Sequence, residues 1–281
     1  MIKLSTPVIV TPLPVQVGLQ DKICVLGSCF ADSMGAKLAS AGFDVRTNPF
    51  GTLYNPVSVC NSVARLESGL PFKETDCVEM GSGAGLVCSY SHHTSFARET
   101  AGEFLENANA SLAEASAFWH ACNKVIVTFG TALVWKLVES GDVVSNCLKR
   151  PAAEFSHEML GVTQIAALVK MLVASHPDKK FIFTVSPIRH LGDGAHVNTL
   201  SKATLQLALN STGVCYFPAY EVMLDELRDY RFYAEDLVHP SKTAEEIIWQ
   251  RFLGSAVAPD DLAQLSVNEK AARHSAHRPL R

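Results

Sequence analysis

The stretch from residue 23 to residue 32, with the sequence ICVLGSCFAD, constrains the fold more than any other part of the chain. Its first four residues are apolar, as in a short buried strand, and Gly27 then permits a sharp turn. After the turn, Phe30, Met34 and Leu38 are spaced as on one face of a helix. The sequence therefore predicts a strand, a tight turn and a helix.

A nucleophile at this turn would lie at the amino end of the helix. The turn offers two, Ser28 and Cys29. Unpaired backbone N–H groups and the positive end of the helix dipole favour a thiolate or an oxyanion at such a position. The turn is therefore a natural place for acyl-transfer chemistry, although an ordinary loop between a strand and a helix has the same pattern.

Strands and helices alternate along most of the remaining chain. We expect a strand at 43–46, buried strands at 124–129, 180–185 and 214–217, and helices at about 56–68, 101–121, 160–175, 198–211 and 242–253. This alternation is typical of an α/β fold with a mostly parallel sheet covered on both faces. Ligands bind beyond the carboxyl ends of such strands. Polar loops lie on that side at 27–32, 47–54, 130–132, 186–194 and 236–239.

Two segments interrupt the alternation, and the two ends of the chain differ from the rest. Residues 69–100 are expected to form an irregular insertion over one end of the sheet, and residues 133–144 an edge hairpin. The proline-rich residues 1–20 are expected to form an extended strap. We assign residues 1–258 to a single α/β domain, and residues 259–281 to a short helix starting near 266 and a disordered tail from 273.

Composition limits the classes of partner. The chain has 281 residues, 48% of them hydrophobic, which is enough for a sizeable core. It carries 24 Lys and Arg against 28 Asp and Glu, and a net charge of -4 gives no bulk attraction to nucleic acid or to an anionic membrane. Neither a membrane-length apolar run nor a signal-peptide pattern is present, so we expect a cytoplasmic protein. The sequence does not predict the oligomeric state.

The cysteines favour reduced thiols. Eight are scattered along the chain without a C-x-x-C pair, and several lie within apolar runs. Disulfides and zinc ligation fit this distribution less well. We therefore expect no metal and no tightly bound cofactor.

Residues far apart in the chain could complete a site for acyl transfer, which needs a nucleophile, a base, a group that orients the base and donors for an oxyanion. Asp236 and His239 are three residues apart, so both side chains lie on one side of a tight turn and the carboxylate can fix the imidazole tautomer. We expect the backbone N–H groups of the nucleophile and of Gly51 to bind the oxyanion. A third donor is expected from the Gly130 N–H or the Thr131 hydroxyl.

The turn also carries a family resemblance. Residues 27–31 have the sequence Gly-Ser-Cys-Phe-Ala, the signature that names the GSCFA family. The family's other motifs resemble the stretches at 48–56, 128–131, 184–194, 216–221 and 227–239, and the likeness extends from about residue 5 to 255. GSCFA proteins resemble, more distantly, the SGNH (GDSL-like) hydrolases. That resemblance implies a flavodoxin-like three-layer sandwich and an esterase or acyltransferase site.

The resemblance leaves the nucleophile open. SGNH enzymes place a serine two residues after the turn glycine, a position that Cys29 occupies here, while Ser28 takes the place of their aspartate. Cys29 is our first choice, and a similar family of sugar-polymer acetyltransferases has Gly-Asn-Cys at this turn. Ser28 is the alternative, because a slip of one residue would exchange the two orientations. SGNH enzymes also present an asparagine in the block where Gly130 and Thr131 stand here.

Four further residues are expected to line the cleft and bind substrate, namely Asn48, His93, Arg189 and His190. A guanidinium suits a carboxylate or a phosphate, although Arg189 could equally form a structural pair with Asp193 or Asp229. A metal-dependent hydrolase using the histidines at 92, 93 and 190 is another hypothesis, but its ligand spacing is poor.

The resemblance implies an SGNH-like acyl esterase or O-acyltransferase acting on a small molecule or an acylated carbohydrate. Acetyl-CoA would be the acyl donor of a transferase, and no cofactor is needed by an esterase. Carbohydrate is favoured by analogy with similar families. The alternative hypothesis is a catalytically inactive module of the same fold that binds a carbohydrate or a protein partner.

Overall fold

The computed structural model describes residues 6–276 of the chain, with the side chains of residues 6–271. Its strands are β1 (Lys22–Gly27), β2 (Asp44–Thr47), β3 (Val78–Glu79), β4 (Val87–Cys88), β5 (Lys124–Phe129), β6 (Leu133–Leu137), β7 (Val143–Val144), β8 (Phe155–Met159) and β9 (Lys180–Val185). Its helices are α1 (Cys29–Ser40), α2 (Pro56–Ser68), α3 (Ala101–Ala121), α4 (Val162–Ser175), α5 (Ala195–Thr212), α6 (Ala219–Glu221), α7 (Lys242–Ala256) and α8 (Pro259–Ala276).

The central sheet is parallel and has the order β2-β1-β5-β9. Beyond β9, Tyr216 forms a parallel bridge with Phe183, so the predicted strand at 214–217 is reduced to one bridge. The chain thus runs outward in both directions from β1, as in flavodoxin-like sheets. The crevice where the order reverses lies at the carboxyl ends of β1 and β5, and it is the usual place for a ligand. The predicted α/β fold with a mostly parallel sheet is confirmed.

Helices cover both faces of this sheet. Side chains alternate along a strand, so in β1 Ile23 and Val25 enter one core while Cys24 and Leu26 enter the other. The first core includes α1, α7 and α8, and the second includes α2, α3, α4 and α5. The near-continuous apolar runs of β1, β5 and β9 follow from this burial on both faces.

A small antiparallel sheet, β7-β6-β8, stands beside the central one. The predicted hairpin supplies β6 and β7, but β8 was not predicted. Its sequence, Phe-Ser-His-Glu-Met, alternates in burial, but a histidine occupies the middle of its less exposed face, so the apolar pattern is too weak to predict a strand. The predicted insertion at 69–100 is mostly irregular and contains the two-residue strands β3 and β4.

The ends of the chain pack against the domain. Within the predicted strap, the N–H groups of Leu13 and Val17 donate to carbonyls at the end of α7, at 2.8 and 2.7 Å. The final helix is longer than predicted, because Pro259 and two aspartates at its start favour helix initiation there. Residues 273–276 belong to α8, which corrects the predicted tail. Residues 1–5 and 277–281 lie outside the described residues, and the division at 258 stays a prediction.

None of the helices within residues 6–276 combines the length and the apolar character of a membrane span.

Candidate active site

The turn after β1 places Cys29 at the reversal point of the sheet. Gly27 has a φ of +135°, and a Cβ there would lie 2.0 Å from the Thr128 carbonyl oxygen of β5. Ser28 is the extended N-cap residue of α1, and Cys29 is the first residue of the helix. A glycine is therefore required for β1 to approach β5 and present this helix end to the crevice.

Asp236 and His239 form a compact turn just before α7. The Asp236 Oδ1 atom accepts the N–H groups of Val238 and His239, both at 2.9 Å, and its Oδ2 lies 2.6 Å from His239 Nδ1. The N–H groups of His239 and Val238, followed by the imidazole, lower the pKa of Asp236 to about 2. The carboxylate is therefore ionised, and its bond to Nδ1 turns Nε2 outward.

The His239 ring faces the sulfur of Cys29. The Nε2 and Sγ atoms are 3.6 Å apart. Ser28, the alternative nucleophile, is fully buried, and its hydroxyl has no hydrogen-bond partner among the described residues. Residues 210 positions apart thus meet as the sequence pattern predicted, and the contact is with Cys29.

Burial raises the pKa of the Cys29 thiol and outweighs the groups that favour a thiolate. Those groups are the N–H groups of Cys29 and Phe30 at the start of α1, and the ammonium of Lys202, while Asp32 opposes them. The helix end alone therefore does not produce the thiolate that the sequence favoured. The sulfur rests as a thiol, with His239 positioned to take its proton.

The three predicted oxyanion donors are already used inside the protein. The N–H of Gly51 donates to the carbonyl three residues earlier at 2.8 Å, and those of Gly130 and Thr131 donate to the Tyr54 carbonyl at 2.7 and 3.0 Å. The Thr131 hydroxyl shares a 2.9 Å hydrogen bond with that of Ser201. Spacing cannot reveal such engagement, because each partner comes from a distant loop. These predicted roles do not fit the structure.

Other donors face the sulfur instead. The N–H groups of Cys29 and Phe30 favour a negative charge on Sγ, and the Tyr54 hydroxyl, which accepts a hydrogen bond from Thr52 at 3.2 Å, is close enough to Cys29 to interact with it electrostatically. Burial raises the pKa of Tyr54, and nearby Cys29 and Asp32 add to this shift, so the phenol stays protonated and able to donate. The sequence analysis did not predict this role for Tyr54.

A cleft of about 430 Å³ opens in front of Cys29 and His239. Of the predicted substrate-binding residues, Arg189 and His190 line it. The Arg189 side chain donates to the Leu237 carbonyl at 3.2 Å instead of pairing with an aspartate. Burial, with the charges of Lys202 and His239, lowers the pKa of His190 to about 4, so its ring is neutral at pH 7.

Asn48 and His93 are not among the residues that line the cleft. The Asn48 side chain is buried, accepts the Gly27 N–H at 2.8 Å and donates to Asp32 at 2.7 Å. It ties the turn to α1 and is not free to bind substrate. His93 packs against Gly51 and bonds to Ser95 through Nδ1 at 3.0 Å.

The histidines of the metal hypothesis do not cluster. His92 is fully buried among Phe50, Phe72, Phe96 and Phe104, with its Nδ1 atom 2.7 Å from the Ser89 hydroxyl. Burial lowers the pKa of His92 to about 3. Within the part of the chain that the structure describes, no three His, Cys, Asp or Glu side chains are grouped so as to hold a metal ion.

A comparison with models of protein families identifies the family to which this chain belongs. The model of the GSCFA family matches residues 22–252, which is more than half of the chain. The chain belongs to the GSCFA family. This match contains the glycine turn, the cleft and the Asp236–His239 turn.

The GSCFA protein is also similar to a solved structure from Bacteroides fragilis NCTC 9343 that is described as a "putative acylhydrolase". The two share 10% identity over 93% of this chain and 92% of the other, with a TM-score of 0.42. Among curated proteins, none matches the chain.

Helix α5 of the GSCFA protein organises the floor of the cleft, which the sequence analysis did not predict. The Asn198 side chain accepts the His190 N–H at 2.9 Å, and Ser201 accepts the Ala132 N–H at 2.8 Å. Lys202 donates to the carbonyls of Gly130 and Ser186, which directly follow β5 and β9. The signal was present in the sequence, since three polar residues at 198, 201 and 202 have the i, i+3, i+4 spacing of one helix face. That face continues with the buried Leu205 and Leu209.

One wall of the cleft comes from the small antiparallel sheet. Trp135 of β6 and His157 of β8 are directly opposite, and their rings stack with centroids 3.9 Å apart at an angle of 4°. Trp135 remains 40% exposed, whereas Trp119 and Trp249 are buried. His157 is further held by Asp193, at 3.5 Å from Nδ1. The cleft therefore has a flat, fixed aromatic surface.

Proposed function

We propose that the protein is an SGNH-like acyl esterase or O-acyltransferase that forms an acyl-enzyme on Cys29. The observation that carries this proposal is the continuous contact from the Cys29 sulfur to His239 at 3.6 Å and from His239 to Asp236 at 2.6 Å. A nucleophile, a base and an orienting carboxylate stand in the order that acyl transfer requires. The contact opens into a cleft that can admit a substrate.

In the proposed reaction, His239 Nε2 takes the thiol proton as the Cys29 sulfur attacks the carbonyl carbon of an ester. The tetrahedral intermediate collapses when the C–O bond breaks, and the imidazolium gives its proton to the leaving alkoxide. A water molecule or an acceptor hydroxyl then attacks the thioester, with His239 again as the base. The acid or the new ester leaves, and the thiol is restored. Asp236 holds the tautomer and stabilises the imidazolium.

The oxyanion of the intermediate is assigned to the amino end of α1. The Cys29 and Phe30 N–H groups favour a negative charge on the sulfur and the Tyr54 hydroxyl is close to it, so these groups are proposed to bind an oxyanion formed on a carbon bonded to that sulfur. These groups replace Gly51, Gly130 and Thr131, whose backbone N–H groups are engaged elsewhere.

The test compares Cys29→Ala, His239→Ala and Ser28→Ala in turnover of p-nitrophenyl acetate, and of acetyl-CoA with an oligosaccharide acceptor. We expect the first two substitutions to lower turnover by roughly a thousandfold or more. Ser28→Ala is the matched control from the same turn, because the Ser28 hydroxyl bonds to nothing in the described structure, and it should retain activity. Unchanged turnover in His239→Ala would overturn this mechanism, whereas no turnover by the wild-type protein would favour the binding module.

We propose an acylated carbohydrate as the substrate, supported by the exposed face of Trp135 in the cleft. A sugar ring presents C–H groups on its faces and hydroxyls at its edge, so it can lie on an indole while polar groups bind its rim. Ser145, Arg189 and Asp193 line the same cleft and could bind those hydroxyls.

Tryptophan fluorescence tests the substrate class, since Trp135 is the exposed indole and the other two are buried. A partly acetylated oligosaccharide should alter the emission of the wild-type protein, and Trp135→Phe should lose that response. Turnover of p-nitrophenyl acetate should persist in Trp135→Phe. An oligosaccharide ester that is hydrolysed without any change in emission would argue against this wall as its binding surface.

A further inference from the structure

Lys202 is a buried amine that has no carboxylate partner among the described residues. It is 1% exposed, and its ammonium donates to the Gly130 carbonyl at 2.6 Å and the Ser186 carbonyl at 2.8 Å. The ring of Tyr220 lies on a further side, with its centroid 5.7 Å from Nζ. Among the described residues, Cys29 is the group whose negative charge favours the protonated lysine.

A buried ammonium is unfavourable unless another charge or a set of acceptors compensates for lost hydration. Two carbonyls satisfy two of its three N–H groups but supply no net negative charge. A methionine of similar volume would fill the same space without the desolvation penalty. Lys202 lies at the ends of β5 and β9, the edge of the sheet at which Cys29 also lies, and it interacts electrostatically with Cys29. A negative charge formed at that edge would compensate the buried ammonium.

We propose that Lys202 is a positioning residue of the active site, whose buried ammonium is the counter-charge for the negative charge that forms on the Cys29 sulfur. The proposal rests on the assignment of Cys29 as the nucleophile. Three groups then act on the sulfur: His239 removes the proton, the first turn of α1 supplies N–H groups, and the protonated form of Lys202 supplies a positive charge from the ends of β5 and β9.

The direction of the electrostatics agrees with this geometry. Burial lowers the pKa of Lys202 to about 7, and a thiolate at Cys29 opposes that shift. In return, Lys202 lowers the pKa of Cys29 against the larger effect of burial. The other titratable groups that face the pair are His239, Asp32 and Tyr54 around Cys29, and His190 and Tyr220 around Lys202.

Lys179 provides a matched control at the opposite edge of the sheet. It is also a buried lysine that donates to a carbonyl, that of Cys122 at 3.0 Å, and it lies near the ring of Trp119. Unlike Lys202 it has a carboxylate partner, Asp178, at 3.0 Å. Replacement of either lysine by methionine removes a buried amine, but only Lys202 lies at the edge of the sheet that carries the proposed nucleophile.

The experiment measures the rate of iodoacetamide alkylation of Cys29 against pH, with the modified peptide identified by mass. Lys202→Met should move the profile to higher pH by about one unit, which lowers the rate near pH 7 roughly tenfold. Lys179→Met should leave the profile unchanged even if it lowers the melting temperature. Superimposable profiles for Lys202→Met and the wild type would make Lys202 a purely structural residue and overturn the proposal.

A second measurement applies if Lys202→Met does not fold. The Lys202 side chain can be titrated by NMR in Cys29→Asp and in Cys29→Asn, and a negative charge at residue 29 should raise the pKa of Lys202 in the first protein relative to the second. An identical titration in both proteins would overturn the proposal. Neither readout depends on turnover, so absence of esterase or transferase activity would reject the proposed function without deciding this one.

Discussion

The two edges of the central sheet treat buried polar groups differently. At the amino edge, the Asp21 carboxylate accepts the Gly18 N–H at 2.7 Å and the Asn123 side chain at 2.6 Å, with Lys124 at 3.8 Å. Lys179, near the start of β9, is paired with Asp178. Each buried group at this edge therefore has a complementary partner.

The carboxyl edge contains groups that lack one. The Ser28 and Thr128 hydroxyls and the His190 Nε2 atom are buried without a hydrogen-bond partner among the described residues. Lys202, at the same edge, has carbonyl acceptors but no carboxylate. Unsatisfied buried polar groups are uncommon in native proteins, because each one lowers the free energy of unfolding.

This difference indicates that the unpaired polar groups at the carboxyl edge lower the stability of the fold. Among the described residues, the amino edge pairs its buried polar groups, whereas the carboxyl edge, at which Cys29 lies, leaves several of them unpaired. Functional sites commonly break the local rules that the rest of a fold obeys. Substitutions at the two edges should therefore separate activity from stability.

The largest effect on activity should come from Asp236→Asn. Its amide can still accept a backbone N–H, but it cannot hold the His239 tautomer with Nε2 free to take the thiol proton. We expect turnover of p-nitrophenyl acetate to fall by about a hundredfold to ten-thousandfold. The side chains of Asp236 and His239 are 49% and 47% exposed, so solvent screens their interaction and the melting temperature at pH 7 should fall only slightly.

The same variant has a signature in acid. Because the pKa of Asp236 is lowered to about 2, its ionised form stabilises the native state above the unfolded value near 4, and this contribution is lost as the pH falls through 2. Asp236→Asn should remove that part of the acid dependence in urea unfolding curves. A full loss of activity together with unfolding at pH 7 would contradict a purely catalytic role.

The opposite result is expected from Asp21→Ala at the amino edge. Removal of this buried carboxylate leaves the Gly18 N–H and the Asn123 amide without their acceptor, at a cost of about 2–3 kcal/mol in the free energy of unfolding. Turnover per folded molecule should stay close to wild type. Urea unfolding and an active-site titration check both parts, and Asp21→Asn, which retains an acceptor oxygen, should lose less.

A residue's structural role can be predicted from the sequence when its neighbours in space are also close to it in the sequence. Buried parallel strands have apolar runs, so β1, β5 and β9 were predictable, whereas the half-exposed β8 was not. In the site, Cys29 follows a turn glycine, and Asp236 is three residues from His239, so both patterns can be recognised without a structure.

The rest of the site depends on distant contacts. The Gly130 and Thr131 N–H groups are unavailable to an oxyanion because both donate to the Tyr54 carbonyl, which comes from a distant loop. Lys202 is buried because the ends of β5 and β9 meet over α5, and an isolated lysine in a helix is normally exposed. Periodicity predicts which face of a helix is buried, but not which strand end covers it.

The smallest expected effect is a gain in stability at the carboxyl edge, opposite in sign to the loss expected for Asp21→Ala at the amino edge. Thr128→Val replaces a buried hydroxyl that has no partner with a methyl group of similar shape, so it should raise the free energy of unfolding by about 1 kcal/mol. Thr184 is the matched control, because it is the neighbour of Thr128 in the β5–β9 ladder and its hydroxyl has an acceptor at 3.5 Å. Thr184→Val should give no such gain. A destabilised Thr128→Val protein would show that this hydroxyl is satisfied in solution, and the contrast between the two edges would then rest on Lys202 and His190.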